Sequence, residues 1–264
     1  MNREQLKALR NIRVERKAAT RIIPRMARLA LPEPSIANLD WPRLGAALDA
    51  DGFTVTPPLL DPATCERLTR LWPEAARFRS KVVMARHAYG EGEYQYFAYP
   101  LPEPIEALRQ ALYPPLSEIA NRWAERMGEA RRFPPTLEAW LAECHAAKQL
   151  KPTPLMLRYE AGGYNRLHQD LYGEYVFPLQ LTLLLSRPGE EFEGGEFVLV
   201  ENRPRAQSIP HVVRLEQGQA VIFAVNRRPV RGSRGDFRAA MRHGVSRLGS
   251  GRRYTLGIIF HDAA

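Results

Sequence analysis

The spacing of apolar positions changes character part-way along the chain. Before residue 150 it is mostly helical. Leu44 to Leu48 predicts a short helix, and Asp61-Pro62 supplies an N-cap and a first-turn proline for another. From 103 to 149, Leu, Ile, Ala and Trp recur at helical spacing. Three helices are expected there, near 103–112, 115–128 and 136–149, separated by Pro114-Pro115 and Pro134-Pro135. Trp123, Met127 and Trp140 are read as core. Two stretches break the helical rhythm. Gly52-Phe53-Thr-Val55-Thr alternates like a strand. Residues 78–100 interleave His87, Tyr89, Tyr94, Tyr96, Phe97 and Tyr99 with Gly90 and Gly92, which fits either an aromatic wall beside a pocket or a hairpin packed on the helices.

After residue 150 the pattern is that of strands. Leu155 to Tyr159 alternates, and Leu179 to Leu185 reads as a buried strand. Gly194-Gly195 turns into Glu196–Val200, followed by His211–Leu215, Ala220–Val225 and strands around His243 and Arg253. Short strands with turn signals and no helices between them predict an α+β protein with a double-stranded β-helix (jelly-roll) core. The expected organisation is a basic helical arm and linker over 1–40, helical support over 41–150 and the jelly-roll core over 151–264.

Composition narrows the class. At 264 residues and 45% hydrophobic the chain has enough apolar material for a core. No run approaches the ~18 apolar residues of a membrane span, and the start has no signal-peptide core. Cys65 and Cys144 have no metal or redox spacing and are read as reduced, packed thiols. A cytoplasmic location is expected. The net charge of +9 is uneven: residues 1–30 hold nine Lys or Arg against Glu4 and Glu15. This arm is either a nucleic-acid contact or a solvated helix packed by its apolar face. A second basic stretch, Asn226 to Arg238, is read as a loop just before His243, at the mouth of a site or free in solvent.

The candidate chemistry lies in Arg158-Tyr-Glu-Ala-Gly-Gly-Tyr-Asn-Arg-Leu-His168-Gln-Asp170. Residues two apart on an extended chain project from one face, so His168 and Asp170 are placed to grip one metal ion. His243 is the candidate third ligand. Two histidines and a carboxylate leave open coordination positions, as in the facial triad of non-haem Fe(II) oxygenases.

With Arg253 ten positions beyond His243, these residues resemble the Fe(II)/2-oxoglutarate-dependent dioxygenases. The resemblance implies Fe(II) at His168, Asp170 and His243, with 2-oxoglutarate and O2 as cosubstrates. It implies Arg253 as the partner of the distal 2-oxoglutarate carboxylate, a task suited to a planar, permanently charged fork. Thr255 falls in an Arg-x-Ser/Thr position, and Tyr159 and Tyr164 are each either a further cosubstrate contact or a core tyrosine. No catalytic side chain beyond the metal ligands is expected. The site spacing resembles the prolyl-hydroxylase branch. Blocks such as Phe78-Arg-Ser-Lys-Val82 and Gly92-Glu-Tyr-Gln-Tyr96 resemble a bacterial 2-oxoglutarate oxygenase family described as acting on damaged nucleic acid. The Arg-x5-Arg pair of AlkB-type demethylases is missing. Three functions follow: oxidative dealkylation of nucleic-acid bases, with Tyr94, Tyr96 and Phe97 as stacking candidates; hydroxylation of a protein or amino-acid side chain; or nucleic-acid binding without catalysis.

Overall fold

A computed structural model describes residue 36, residues 38–233 and residues 235–264. The expectations for the basic arm lie almost wholly outside the described residues. The elements run α1 (Trp41–Asp51), β1 (Phe53–Val55), α2 (Pro62–Thr69), β2 (Phe78–Val83), β3 (Gly90–Glu91), β4 (Glu93–Phe97), α3 (Glu103–Arg126) and α4 (Leu137–Ala146). Then follow β5 (Leu155–Glu160), β6 (Tyr164–His168), β7 (Leu179–Leu184), β8 (Phe192–Gly194), β9 (Phe197–Asn202) and β10 (Ile209–Val213). The chain closes with β11 (Ala220–Ala224), β12 (Arg227–Gly232), β13 (Gly235–Val245) and β14 (Leu248–Ile259).

Two antiparallel sheets carry the molecule. The larger has the order β1-β11-β7-β14-β5-β4-β2, with β8 on β14; the smaller has the order β10-β9-β13-β6-β3, with β12 on β13. The second half of the chain therefore supplies most of both sheets, as the alternation predicts. The expected division at residue 150 does not match the sheets, because β1 to β4 pair into them from the first half. The stretch 78–100 supplies the β2–β4 pair and the short β3. Phe78 and Phe97 meet there at 4.7 Å and pack into the core.

On the larger sheet, side chains alternate between a cavity and the helices. Thr255 and Gly257 of β14 line the cavity; Leu256 and Ile258, at the alternate positions, point the other way. They join a core with Leu181, Leu183 and Ile222 of the sheet and Ile105, Leu108, Leu112 and Leu116 of α3. Asp61 caps α2 by accepting from the Thr64 amide at 2.8 Å, as its position predicts.

Two sequence expectations are corrected. Pro114-Pro115 does not separate two helices: α3 runs through both. An internal proline costs ~3 kcal/mol through a lost hydrogen bond and a ring clash. Here Leu108, Leu112, Tyr113, Leu116, Ile119 and Trp123 form one buried stripe on both sides of the break, and that packing outweighs the cost. The basic stretch 226–238 is not a loop at the site mouth but the hairpin of β12 and β13. Arg228, Pro229 and Val230 are buried in it. The Arg228 guanidinium donates to Glu201 (2.6 Å) and to the Asp49 carbonyl (3.1 Å), and Arg238 donates to the Met127 carbonyl (2.6 Å). Those arginines fasten the hairpin to β9 and the helices.

The end of the chain is tied down by charge. Arg109 of α3 and Asp262 are both fully buried and pair at 2.9 Å. Arg109 also donates to the Ile259 carbonyl (3.0 Å), and Asp262 accepts from Tyr99 (2.9 Å). Cys65 and Cys144 are free and buried. No helix among the described residues is long and apolar enough to cross a membrane.

Candidate metal centre

The register of the smaller sheet sets two histidines side by side. His243 on β13 lies opposite His168 at the end of β6, and the rings are 4.2 Å apart between centroids. Asp170 follows just after β6 ends and turns back to both. Its Oδ1 is 3.5 Å from His168 Nε2 and its Oδ2 is 3.4 Å from His243 Nε2. One ligand atom from each of the three residues lies within 4.8 Å of the others.

The donor set fits a metal ion. Two ligands at ~2.1 Å and a right angle stand ~3 Å apart, a few tenths below the distances found. His168 Nδ1 lies 2.7 Å from the Arg166 carbonyl. A carbonyl only accepts, so Nδ1 carries the proton and Nε2 presents its lone pair toward Asp170. Burial, then the neighbouring His243, depresses the His168 pKa and favours that neutral form. Burial alone would raise the pKa of Asp170. The hydrogen bond from His243, and after it the Tyr172 hydroxyl, override it and hold the carboxyl well below the usual range.

The three residues face a cavity of about 380 Å³, within the range of small-molecule sites. Thr255 and Tyr159 line it, as do Tyr94 and Tyr89, the last half exposed at the rim. Of the other candidates, Phe97 belongs to the core, and Tyr96 lies under the Arg79 guanidinium at 4.3 Å. Tyr164 is set apart, its ring stacked by Arg247 at 4.7 Å rather than lining the cavity.

Arg253 pairs across strands with Tyr159, its guanidinium 5.8 Å from that ring and 5.9 Å from Phe192. It is only 2% exposed, and its Nη1 has no hydrogen-bond partner among the described residues. Burial pushes its pKa down to about 10, against the opposing pull of Tyr159 and Glu196. Among the described residues no carboxylate, Glu196 included, comes within ion-pair distance of it; a buried guanidinium left so is costly and calls for an anion. Gly195 makes room for it: at φ +63° it holds a backbone that side chains rarely adopt, and a Cβ there would stand 3.2 Å from Arg253 Cδ and 2.5 Å from Leu248. Arg253 borders a second opening of about 300 Å³, and Phe197 lines both.

Sequence reasoning missed two residues that touch Asp170. The Tyr172 hydroxyl donates to Oδ1 at 2.6 Å and Gln180 Nε2 donates to Oδ2 at 2.9 Å. A signal existed for both. Tyr172 lies two positions beyond Asp170, and Gln180 and Thr182 are polar residues at alternate positions of an otherwise apolar strand.

Residues 92–263 match a family described as oxygenases catalysing oxidative methylation of damaged DNA. The chain belongs to this family. It is an oxygenase, and with the His-x-Asp and distal His pattern it stands in the 2-oxoglutarate/Fe(II) dioxygenase superfamily that the motif resembles. Two uncharacterised proteins of Mycobacterium tuberculosis, from the CDC 1551 and H37Rv strains, are each 52% identical over 168 residues, covering 64% of this oxygenase and 72% of their own length. Among solved structures, a Pseudomonas putida prolyl-4-hydroxylase superposes with TM-score 0.51 at 16% identity, over 85% of this chain and 99% of its own. A Burkholderia pseudomallei oxidoreductase of the 2OG-Fe(II) oxygenase family gives 0.50 at 16%, over 85% and 93%. At such identity these two establish a shared fold.

Proposed function

We propose that the two sheets form a double-stranded β-helix that binds Fe(II) through His168, Asp170 and His243 and 2-oxoglutarate beside it. Bound iron and 2-oxoglutarate together supply O2 activation, with succinate and CO2 released as a C–H bond is hydroxylated. The protein's own part is to hold and orient. Arg253 would take the distal carboxylate of 2-oxoglutarate, with Thr255 and Tyr159 along the same wall. The single observation that carries this reading is the buried Arg253 guanidinium, without a carboxylate partner among the described residues, paired across strands with Tyr159, which lines the cavity of His168, Asp170 and His243.

For the primary substrate we propose an alkylated nucleic-acid base. The family description points to damaged DNA, and the cavity supports it. Tyr89 and Tyr94 line the cavity, the kind of aromatic side chain on which an extruded base stacks, and Arg166 stands at the mouth with Tyr89. Tyr94 faces the cavity because its register partner on β5 is Leu157, which lines it too. A cytoplasmic location agrees with such a substrate. The test is succinate release over alkylated oligonucleotides, peptides and free amino acids. Turnover confined to alkylated oligonucleotides supports the reading; turnover with peptides or amino acids alone replaces it with the side-chain hydroxylase.

A further inference from the structure

We infer that Tyr172 and Gln180 are positioning residues that fix the Asp170 carboxylate for metal binding. The inference rests on the metal reading above.

The three ligands are not held alike. His168 and His243 sit on paired strands of the smaller sheet, where the backbone ladder fixes them. Asp170 lies beyond the end of β6, in a stretch without regular structure. No strand register sets its side chain, so other contacts must.

Those contacts come from Tyr172 and Gln180. Gln180 stands on β7, hydrogen-bonded between β11 and β14 with Phe223 and Ile259 as its register partners, and reaches Oδ2 at 2.9 Å. Its amide has one allowed orientation. An ionised carboxylate only accepts, so the nitrogen must face Asp170, and Oε1 is the end left without a partner among the described residues. Tyr172 reaches Oδ1 at 2.6 Å. Its ring stands edge-on to Tyr96 of β4 at 6.2 Å, and Tyr96 is covered by Arg79, which donates to the Pro152 carbonyl at 2.8 Å.

The consequence concerns the whole centre. Both supports belong to the larger sheet, directly for Gln180 and through Tyr96 for Tyr172. The carboxylate is thus offered from the larger sheet to two histidines on the smaller one. Each oxygen carries one donor from that side and faces one histidine on the other. With a donor removed, the carboxylate is free to rotate away from one Nε2, and metal affinity falls without loss of a ligand. Partners of metal ligands typically contribute about 10–100-fold in affinity.

The experiment is calorimetric titration of the metal-free protein with Mn(II), alongside the EPR line shape of the bound ion. Tyr172→Phe removes only the hydroxyl, and Gln180→Leu keeps the volume without the amide. Each variant is expected to bind Mn(II) about 10–100-fold more weakly, with an altered line shape and an unchanged circular dichroism spectrum before metal is added. Mn(II) affinity within twofold of wild type in either folded variant overturns the role of that residue. The two variants are independent, so misfolding of one leaves the other to decide. Failure of the wild-type protein itself to bind Mn(II) or Fe(II) rejects the metal reading; wild-type binding with unaffected variants rejects only the positioning role.

Discussion

Arg253→Met keeps the reach and apolar stem of the side chain and removes its charge. The structure gives this change two consequences of opposite sign. Without cosubstrate, Arg253 is a desolvated cation whose pKa burial pushes down to about 10, well below the usual guanidinium range. A displacement of that size corresponds to roughly 3 kcal/mol against the charged form. The methionine variant is relieved of that penalty, so its unliganded form should melt several degrees above wild type, at about 2–4 °C per kcal/mol for a domain of this size. With cosubstrate the sign reverses. Loss of a buried charged hydrogen-bond partner costs about 2–5 kcal/mol, which raises the KM for 2-oxoglutarate ~30-fold or more. Arg253→Lys keeps the charge without the fork and should fall between. The assays are thermal melts with and without 2-oxoglutarate and succinate release against 2-oxoglutarate concentration. A methionine variant that melts lower than wild type and keeps its 2-oxoglutarate KM would refute the reasoning.

Two further outcomes follow from buried charge. His261 accepts the Phe177 amide on Nδ1 at 3.2 Å, and burial, with the nearby Arg109 charge, pushes its pKa down to about 4 from 6.5. The folded state therefore resists protonation that the unfolded state accepts: stability from this group is full above pH 6.5 and is lost as pH falls toward 4, by roughly 3 kcal/mol in all. Denaturant titrations from pH 7 to 4 should show this fall, and His261→Gln should flatten it. Arg109→Met leaves Asp262 buried without its guanidinium and should cost ~3–5 kcal/mol in chemical denaturation, whereas pairing it with Asp262→Leu should recover much of the loss.

The sequence pattern announced most strands of the second half, the starts of α2, α3 and α4 and the grouping of His168, Asp170 and His243, because each leaves a local mark: alternation, a cap, a spacing. What it did not announce depends on distant partners. Nothing near Pro114 says that a buried stripe continues beyond it. The charge of Arg228 marks it for solvent until Glu201 on another strand neutralises it. Tyr159 and Tyr164 look alike along the chain, yet β5 carries the first into the cavity while Arg247 covers the second. Gln180 becomes a support for Asp170 only through the approach of the segment after β6 to β7.

The most direct measurement is Fe(II) stoichiometry together with 2-oxoglutarate turnover to succinate, in the wild type and in His168→Ala, Asp170→Ala and His243→Ala, each checked for folding by circular dichroism. The wild type should bind one Fe(II) and release succinate only when iron, 2-oxoglutarate and O2 are all present; each variant should fold and lose turnover. Full turnover with stoichiometric iron in any one of the three would contradict the assignment of that residue, and absence of iron binding by the wild type would contradict the centre itself.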